Sequence, residues 1–163
     1  MHTTIVVLVE DKPGVLARVA SQFRRRLFNI ESMAAGASAP GITAITIAVD
    51  DDKRNIDRLV ASLSKLVNVL QVEDLGERPI VERGLAMVKV ASSNGNRAAI
   101  QRLIDSGTAR IVAIGAHTLS LELTGEPRRI EEAITQLESL GIIDIVRSGP
   151  LALTQGDGTI MRQ

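Results

Sequence analysis

The sequence predicts an α+β protein built from two consecutive βαββαβ units. Apolar runs of strand length alternate with amphipathic helical stripes, and the same order of elements occurs in both halves. A polar segment containing a Gly and a Pro separates the halves. In each unit, two split βαβ motifs are expected to form a four-stranded antiparallel sheet with both helices on one face, which is the ferredoxin-like arrangement.

Four strand patterns and two helical stripes make up the first half. The strands are predicted at 4–9, at 28–37, around the alternating Ile45, Ile47 and Val49, and at 69–75 before Gly76. Pro13 suits the first turn of a helix, and the acidic run at 50–52 offers caps for a second helix. The apolar positions of the two helices are Leu16, Val19, Ala20, Phe23 and Leu27, then Ile56, Leu59, Val60, Leu63 and Leu66.

The second half repeats this order after the segment "GERPIVER". Strands are predicted at 85–90, 110–114, 119–123 and 142–147, with helices at 98–104 and 127–140. The second helical stripe recurs 74 residues later, at Ile130, Ile134, Leu137 and Leu140. We therefore predict a first domain at 1–76, a linker at 77–84 and a second domain with a short tail at 85–163.

The composition argues against several classes of function. Basic and acidic residues balance at 19 each, and with two Phe and no Tyr or Trp the chain lacks the charge and the stacking surfaces of a nucleic-acid-binding protein. It contains no Cys, and His2 and His117 are far apart, which argues against a metal site. Neither a signal peptide nor a membrane helix is expected, so we predict a cytoplasmic protein. No catalytic constellation is visible, which favours a protein that is not an enzyme and carries no cofactor.

The turn at Pro13-Gly14 is the clearest candidate for a binding site. A helix N-terminus presents unsatisfied N–H groups and a partial positive charge. The donors of Gly14, Val15 and Leu16 suit a small carboxylate whose apolar tail would lie against the Val15 and Leu16 side chains, while Asp11 suits an ammonium group. These features fit a small apolar amino acid, although such turns are also common as purely structural elements.

Asn29, shortly after the first helical stripe, has two readings. Asn tolerates left-handed geometry, so the residue fits the end of a helix. Its amide also donates to a carboxylate and accepts from an ammonium, so it fits an amino-acid site. The residues alone leave both readings open.

Several motifs resemble one family over nearly the whole chain. "VEDKPGVLARV" followed by "FNIESM" is similar to the amino-acid-binding ACT domain of the small subunits of acetohydroxyacid synthase, also called acetolactate synthase. The resemblance continues through "LVNVLQVEDLGERPIVERGLAMVKV" and reaches "VRSGPLALTQGD" near the end of the chain. A lone Pro-Gly-Val-Leu is common to many ACT domains, whereas this combination is specific.

The resemblance implies a non-catalytic regulatory subunit in branched-chain amino acid biosynthesis. Members of the family bind and activate the catalytic large subunit, and they make it sensitive to feedback inhibition by valine or a related amino acid. Thiamine diphosphate, Mg and FAD are implied only for that partner. Members form homodimers through their ACT domains, so the resemblance implies that Gly14, Val15 and Leu16 hold the effector with Asn29 and Ile30 of the other subunit.

Three positions depart from the family pattern. Asp11 stands where Asn is usual, Leu27 where Gly is usual, and Gln155 where Arg is usual. The extra charge of Asp11 bears on effector affinity and identity, and the sequence does not rank valine, isoleucine and leucine. The alternative function is a free-standing ACT-type sensor of amino acids that regulates transcription or another enzyme, although no DNA-reading helix is visible.

Overall fold

The computed structural model describes residues 2–92 and 95–160, except for the side chain of His2. Within this part of the chain two compact units are present. The first contains residues 2–81 and 150–160, and the second is Glu82–Gly149. Residues 93–94 and 161–163 of the predicted second domain lie outside the described residues.

The first unit has the predicted βαββαβ order. The elements are β1 (His2–Glu10), α1 (Val15–Arg25), β2 (Ile30–Ala39), β3 (Ile42–Asp50), α2 (Lys53–Leu63) and β4 (Val69–Asp74). The sheet is antiparallel with strand order β2-β3-β1-β4, so β2 and β4 form its two edges.

The central strand β1 is buried on both of its faces. Ile5, Val7 and Val9 face the helices and pack with Phe23 and other apolar residues of α1 and α2. Val6 and Leu8 face the opposite side, where they form a smaller cluster with Leu75, Ala152 and Ile160. Because both faces are covered, the strand is a continuous apolar run rather than an alternating one.

The covering residues on that opposite side come from the end of the chain. A last strand, β9 (Leu151–Thr154), and the residues after it belong to the first unit. The Gln155 N–H donates to the Pro79 carbonyl at 2.8 Å, and the Thr154 hydroxyl donates to the Gly158 carbonyl at 2.6 Å. The predicted tail therefore contains a strand that the sequence did not indicate.

Helix α1 ends earlier than its apolar stripe predicts. The Phe28 N–H bonds to the Phe23 carbonyl and the Leu27 N–H to the Arg24 carbonyl, which is the Schellman pattern. The rings of Phe23 and Phe28 meet edge to face at 6.3 Å, the apolar contact that accompanies this motif. Leu27 was predicted to lie on the buried stripe, and this is wrong: it adopts φ 59° and is 92% exposed.

Asp74 connects three parts of the first unit. Its carboxylate accepts hydrogen bonds from the Thr3 hydroxyl at 2.7 Å, from Lys53 Nζ at 2.8 Å and from the Gly76 N–H at 3.0 Å. Burial by itself would raise the pKa of Asp74, but these donors more than offset it and hold the pKa below its usual value. The cluster joins the end of β4 to the start of both β1 and α2.

The second unit repeats the topology of the first. The elements are β5 (Ile80–Ala91), α3 (Arg97–Asp105), β6 (Ala109–Ile114), β7 (Thr118–Gly125), α4 (Pro127–Glu138) and β8 (Ile142–Arg147). The strands have the order β6-β7-β5-β8, the same arrangement as β2-β3-β1-β4. Ile130, Ile134 and Leu137 are buried as predicted from the 74-residue offset.

The boundary between the units differs from the predicted linker at 77–84. Strand β5 begins at Ile80, and the change from the first unit to the second falls between Val81 and Glu82. Hence the segment that the sequence marks as polar and Pro-containing includes the start of a long strand. Among the described helices, none is long and apolar enough to cross a membrane.

Candidate functional site

The Pro13-Gly14 turn leads from β1 into α1. Gly14 is the N-terminal cap of α1 and has φ 81° and ψ −3°, a left-handed conformation that favours glycine. A Cβ atom placed on Gly14 would meet no other heavy atom within 4 Å. The glycine is therefore required by its backbone angles, and the space above it is open to a ligand.

The backbone donors of the turn are only partly used. The Val15 N–H donates to the Lys12 carbonyl at 3.3 Å, and the Gly14 carbonyl accepts from the Arg18 N–H at 3.1 Å. Among the described residues, the N–H groups of Gly14 and Leu16 have no backbone partner. These two groups can bond a carboxylate at the positive end of the helix, and Val15 contributes less than predicted because its N–H is engaged.

The side chains of the turn point in different directions. Val15 is 2% exposed and belongs to the core, so its side chain does not offer the predicted apolar contact to a ligand. Leu16 is 47% exposed and can offer that contact. Asp11 is exposed, its N–H is bonded to the Gly41 carbonyl at 2.9 Å, and its carboxylate has no partner among the described residues.

A polar network that the sequence analysis missed supports the turn. Asn68 precedes β4 with φ 72°, and its amide donates to Glu10 at 2.5 Å and accepts from Arg18 at 3.2 Å. Lys12 Nζ lies 2.6 Å from Glu10 Oε2, the same oxygen that accepts from the Asn68 amide. Hydrogen bonds from Lys12 and then Asn68 lower the pKa of Glu10. The available signal was an Asn just before a strand, a residue type that tolerates left-handed turns.

Asn29 and Ile30 lie far from this turn within one chain. Ile30 pairs with Val49 in the sheet, whereas the Gly41 carbonyl beside Asp11 is at the other end of β2. The seven residue steps of β3 from Ile42 to Val49 separate the two places, which corresponds to about 23 Å at 3.3 Å per residue. Asn29 is exposed, and its amide has no partner among the described residues. One subunit therefore holds two separate halves of the predicted site.

Strand β2 leaves one edge of the first sheet without a neighbour. It pairs with β3 on one side and with no other described strand. Its second half is rich in small residues, and most of its residues are exposed or half-buried. An unpaired row of backbone N–H and C=O groups is a template for pairing with another strand.

The first unit also contains an apolar cleft of about 550 Å³ on the sheet face opposite to the helices. It lies between the sheet and the chain segment 151–160, and none of the predicted site residues lines it. Across residues 2–92 and 95–160, no group of three or more His, Asp or Glu side chains is placed to hold a metal ion.

Comparison with known proteins gives the same result for both units. Residues 5–71 match the AHAS small subunit-like ACT domain, and residues 83–156 match the family "small subunit of acetolactate synthase". The crystal structure of the acetolactate synthase small subunit from Thermotoga maritima superposes with a TM-score of 0.86 at 30% identity, covering 97% of this chain and 99% of that one.

Two relatives are similar along almost their full length. A probable acetolactate synthase small subunit from Methanothermobacter thermautotrophicus is 40% identical over 96% of this chain and 94% of its own. The acetolactate synthase small subunit from Mycolicibacterium smegmatis is 38% identical over 94% of this chain and 91% of its own. With both units matched, the chain belongs to the acetolactate synthase small-subunit family, and its first unit is an ACT domain.

Proposed function

We propose that this chain is the non-catalytic regulatory subunit of acetohydroxyacid synthase. It binds the catalytic large subunit, raises the activity of that subunit and makes it sensitive to a branched-chain amino acid. The effector binds between the ACT domains of two copies of the chain. Family membership supports the catalytic large subunit as the binding partner, and the geometry of β2 supports the location of the effector site.

The arrangement of β2 carries the proposal for the site. In an antiparallel pair of β2 strands centred on the middle of the strand, Ile30 of one copy lies opposite Ala39 of the other. Ala39 directly precedes the turn whose Gly41 carbonyl is bonded to Asp11. The pairing therefore brings Asn29 and Ile30 of the partner to the turn at Gly14, although about 23 Å separates these places within one chain.

The assembled site has the groups that an α-amino acid requires. The N–H groups of Gly14 and Leu16 face a carboxylate, and the Asn29 amide from the second copy donates to it or accepts from the ammonium. Asp11 adds a negative charge next to the ammonium, and the exposed side chain of Leu16 contacts the apolar tail. No group in this set is suited to break a bond, which fits a site that binds an effector without changing it.

Effector binding controls the enzyme through the stability of one dimer arrangement. An amino acid that contacts both copies stabilises the geometry in which those contacts exist, and that bias reaches the catalytic subunit as an allosteric coupling between distinct sites. The second unit is expected to carry part of this response.

Co-purification with the acetohydroxyacid synthase large subunit tests the proposal. Activity is measured for the large subunit alone, with this chain, and with this chain plus valine, isoleucine or leucine. We expect association, stimulation, and inhibition by at least one of the three amino acids. A chain that binds an amino acid but neither associates nor changes the activity would support the alternative, a free-standing sensor. Stimulation without inhibition by any of the three amino acids would retain the subunit assignment and attribute the missing inhibition to Asp11, where the family usually has Asn.

A further inference from the structure

Leu27 combines two unfavourable features at one position. Its backbone has φ 59°, where a side chain is strained, and its side chain is 92% exposed to water. A glycine would form the same helix end without either feature. Strain that persists where a simple substitution would remove it is a reason to look for a role of the side chain.

The two flanks of α1 face different neighbours. Gln22 accepts a hydrogen bond from the Ser62 hydroxyl of α2, and Arg18 donates to Asn68, so this flank faces α2 and the turn after it. Leu16 and Ala20 lie on the opposite flank, because successive residues of a helix are rotated by about 100°. Since α2 contacts β4, that opposite flank is directed to the β2 edge of the sheet.

A second copy paired along β2 places the two α1 helices side by side and antiparallel. The end of one helix then lies next to the start of the other, so Leu27 of the partner falls beside Leu16. Ala20, near the middle of the flank, is small enough to let the helices approach. Both leucines are exposed in the single chain and become partners in this arrangement.

We propose that Leu27 of one subunit forms an apolar wall of the amino-acid site on the other subunit, where it packs against Leu16 and limits the size of the effector side chain. This inference rests on the proposed function, because it assigns a specificity residue to that site. The strained backbone at Leu27 holds the side chain outward, where the second copy can use it. Removing the side chain leaves a gap on the apolar side of the site and removes a contact between the two copies.

The test uses the full-length chain and titrates valine, isoleucine and leucine by calorimetry, with sedimentation over a dilution series to follow the dimer. For Leu27→Gly we expect affinity for valine to fall about tenfold or more, as for the loss of a methylene-scale apolar contact. Affinity for the larger leucine falls less, and dissociation of the dimer begins at a higher protein concentration. Leu27→Met restores apolar bulk and should retain most of the affinity.

Val67→Ala is the matched control. Val67 is 71% exposed and lies in the turn before β4, at the edge of the sheet away from β2, so its loss should leave both measurements unchanged. Wild-type affinities and dimerisation in Leu27→Gly would overturn the inference and leave the proposed site intact. If the wild-type chain binds none of the three amino acids, the effector role itself fails, and the inference fails with it.

Discussion

Ile160→Ala should weaken the first unit, although Ile160 lies at the far end of the chain from most of that unit. The side chain is 7% exposed and packs in the cluster that Val6, Leu8 and Leu75 form on the sheet face opposite to the helices. Truncating a buried Ile to Ala costs about 2–5 kcal/mol, depending on how well the site can collapse. Because Ile160 lines an open cleft that water can enter, we expect a loss near 2 kcal/mol.

Urea denaturation gives the free energy of unfolding, and hydrogen exchange read by mass spectrometry shows which unit is affected. Faster exchange is expected in β1 and β3, with protection in α4 and β7 of the second unit retained. Leu153→Ala is the matched control, because Leu153 belongs to the same segment but is 68% exposed and should cost less than about 0.5 kcal/mol. Equal effects of the two substitutions would refute the packing of this segment on the sheet.

Four further predictions concern the site and its support. Gly14→Asp should abolish effector inhibition while stimulation of the enzyme remains, because the new carboxylate occupies the donors meant for the ligand. Leu27→Gly should raise the free energy of unfolding by about 0.5–1 kcal/mol, measured in urea at a concentration where the chain is monomeric, because it removes the left-handed strain. Gly76→Ala should cost about 1–3 kcal/mol in the same assay, because its Cβ would lie 2.2 Å from the Thr3 hydroxyl oxygen. Asp74→Asn should make the free energy of unfolding depend less steeply on pH in acid. The pKa of Asp74 is lowered in the folded state, so the carboxylate stabilises the fold above the usual aspartate range, and this contribution is lost as pH falls through the folded-state pKa.

Gly14→Asp and Asp74→Asn each have a specific check. Gly14→Ala carries the same backbone strain as Gly14→Asp without the charge, so equal loss of inhibition in both would assign the effect to strain. Unchanged inhibition in Gly14→Asp would mean that the effector binds elsewhere. For Asp74→Asn, a stability profile parallel to the wild type below pH 5 would show that this carboxylate does not contribute to acid unfolding.

Local patterns were sufficient to predict both βαββαβ units. The β-branched run at 4–9 and the stripes of α2 and α4 predict elements that the structure contains, because burial imposes the same periodicity that the sequence displays. The repeat was visible in the stripe, where Ile56, Leu63 and Leu66 recur as Ile130, Leu137 and Leu140, although most of the residues between them differ. Leu27 was assigned to the buried face because periodicity continues past Arg25, whereas the Schellman turn ends the helix there.

Features that depend on distant parts of the chain were not predictable in this way. Strand β9 is short, and the residues around Ile160 show no periodic pattern, so only their packing on Val6 and Leu8 reveals their role. Asn68 likewise acquires its function from contacts with Glu10 and Arg18, each about 50 residues or more away in sequence. The candidate site itself is divided between the two ends of β2, and a single chain shows only that its halves are apart.

The return of residues 150–160 to the first unit has a consequence for how the protein is made. At a synthesis rate of roughly 5–20 residues per second, Glu82–Gly149 take about 3–14 s to translate. During that time the helices of the first unit can pack on one face of the ACT sheet, while Val6 and Leu8 on the other face are not yet covered by the end of the chain. Closing it joins segments at opposite ends of the chain, and such contacts form late because closing a long loop costs chain entropy. We therefore expect maturation of the nascent protein in two stages, with the aggregation-prone interval ending only when β9 has docked.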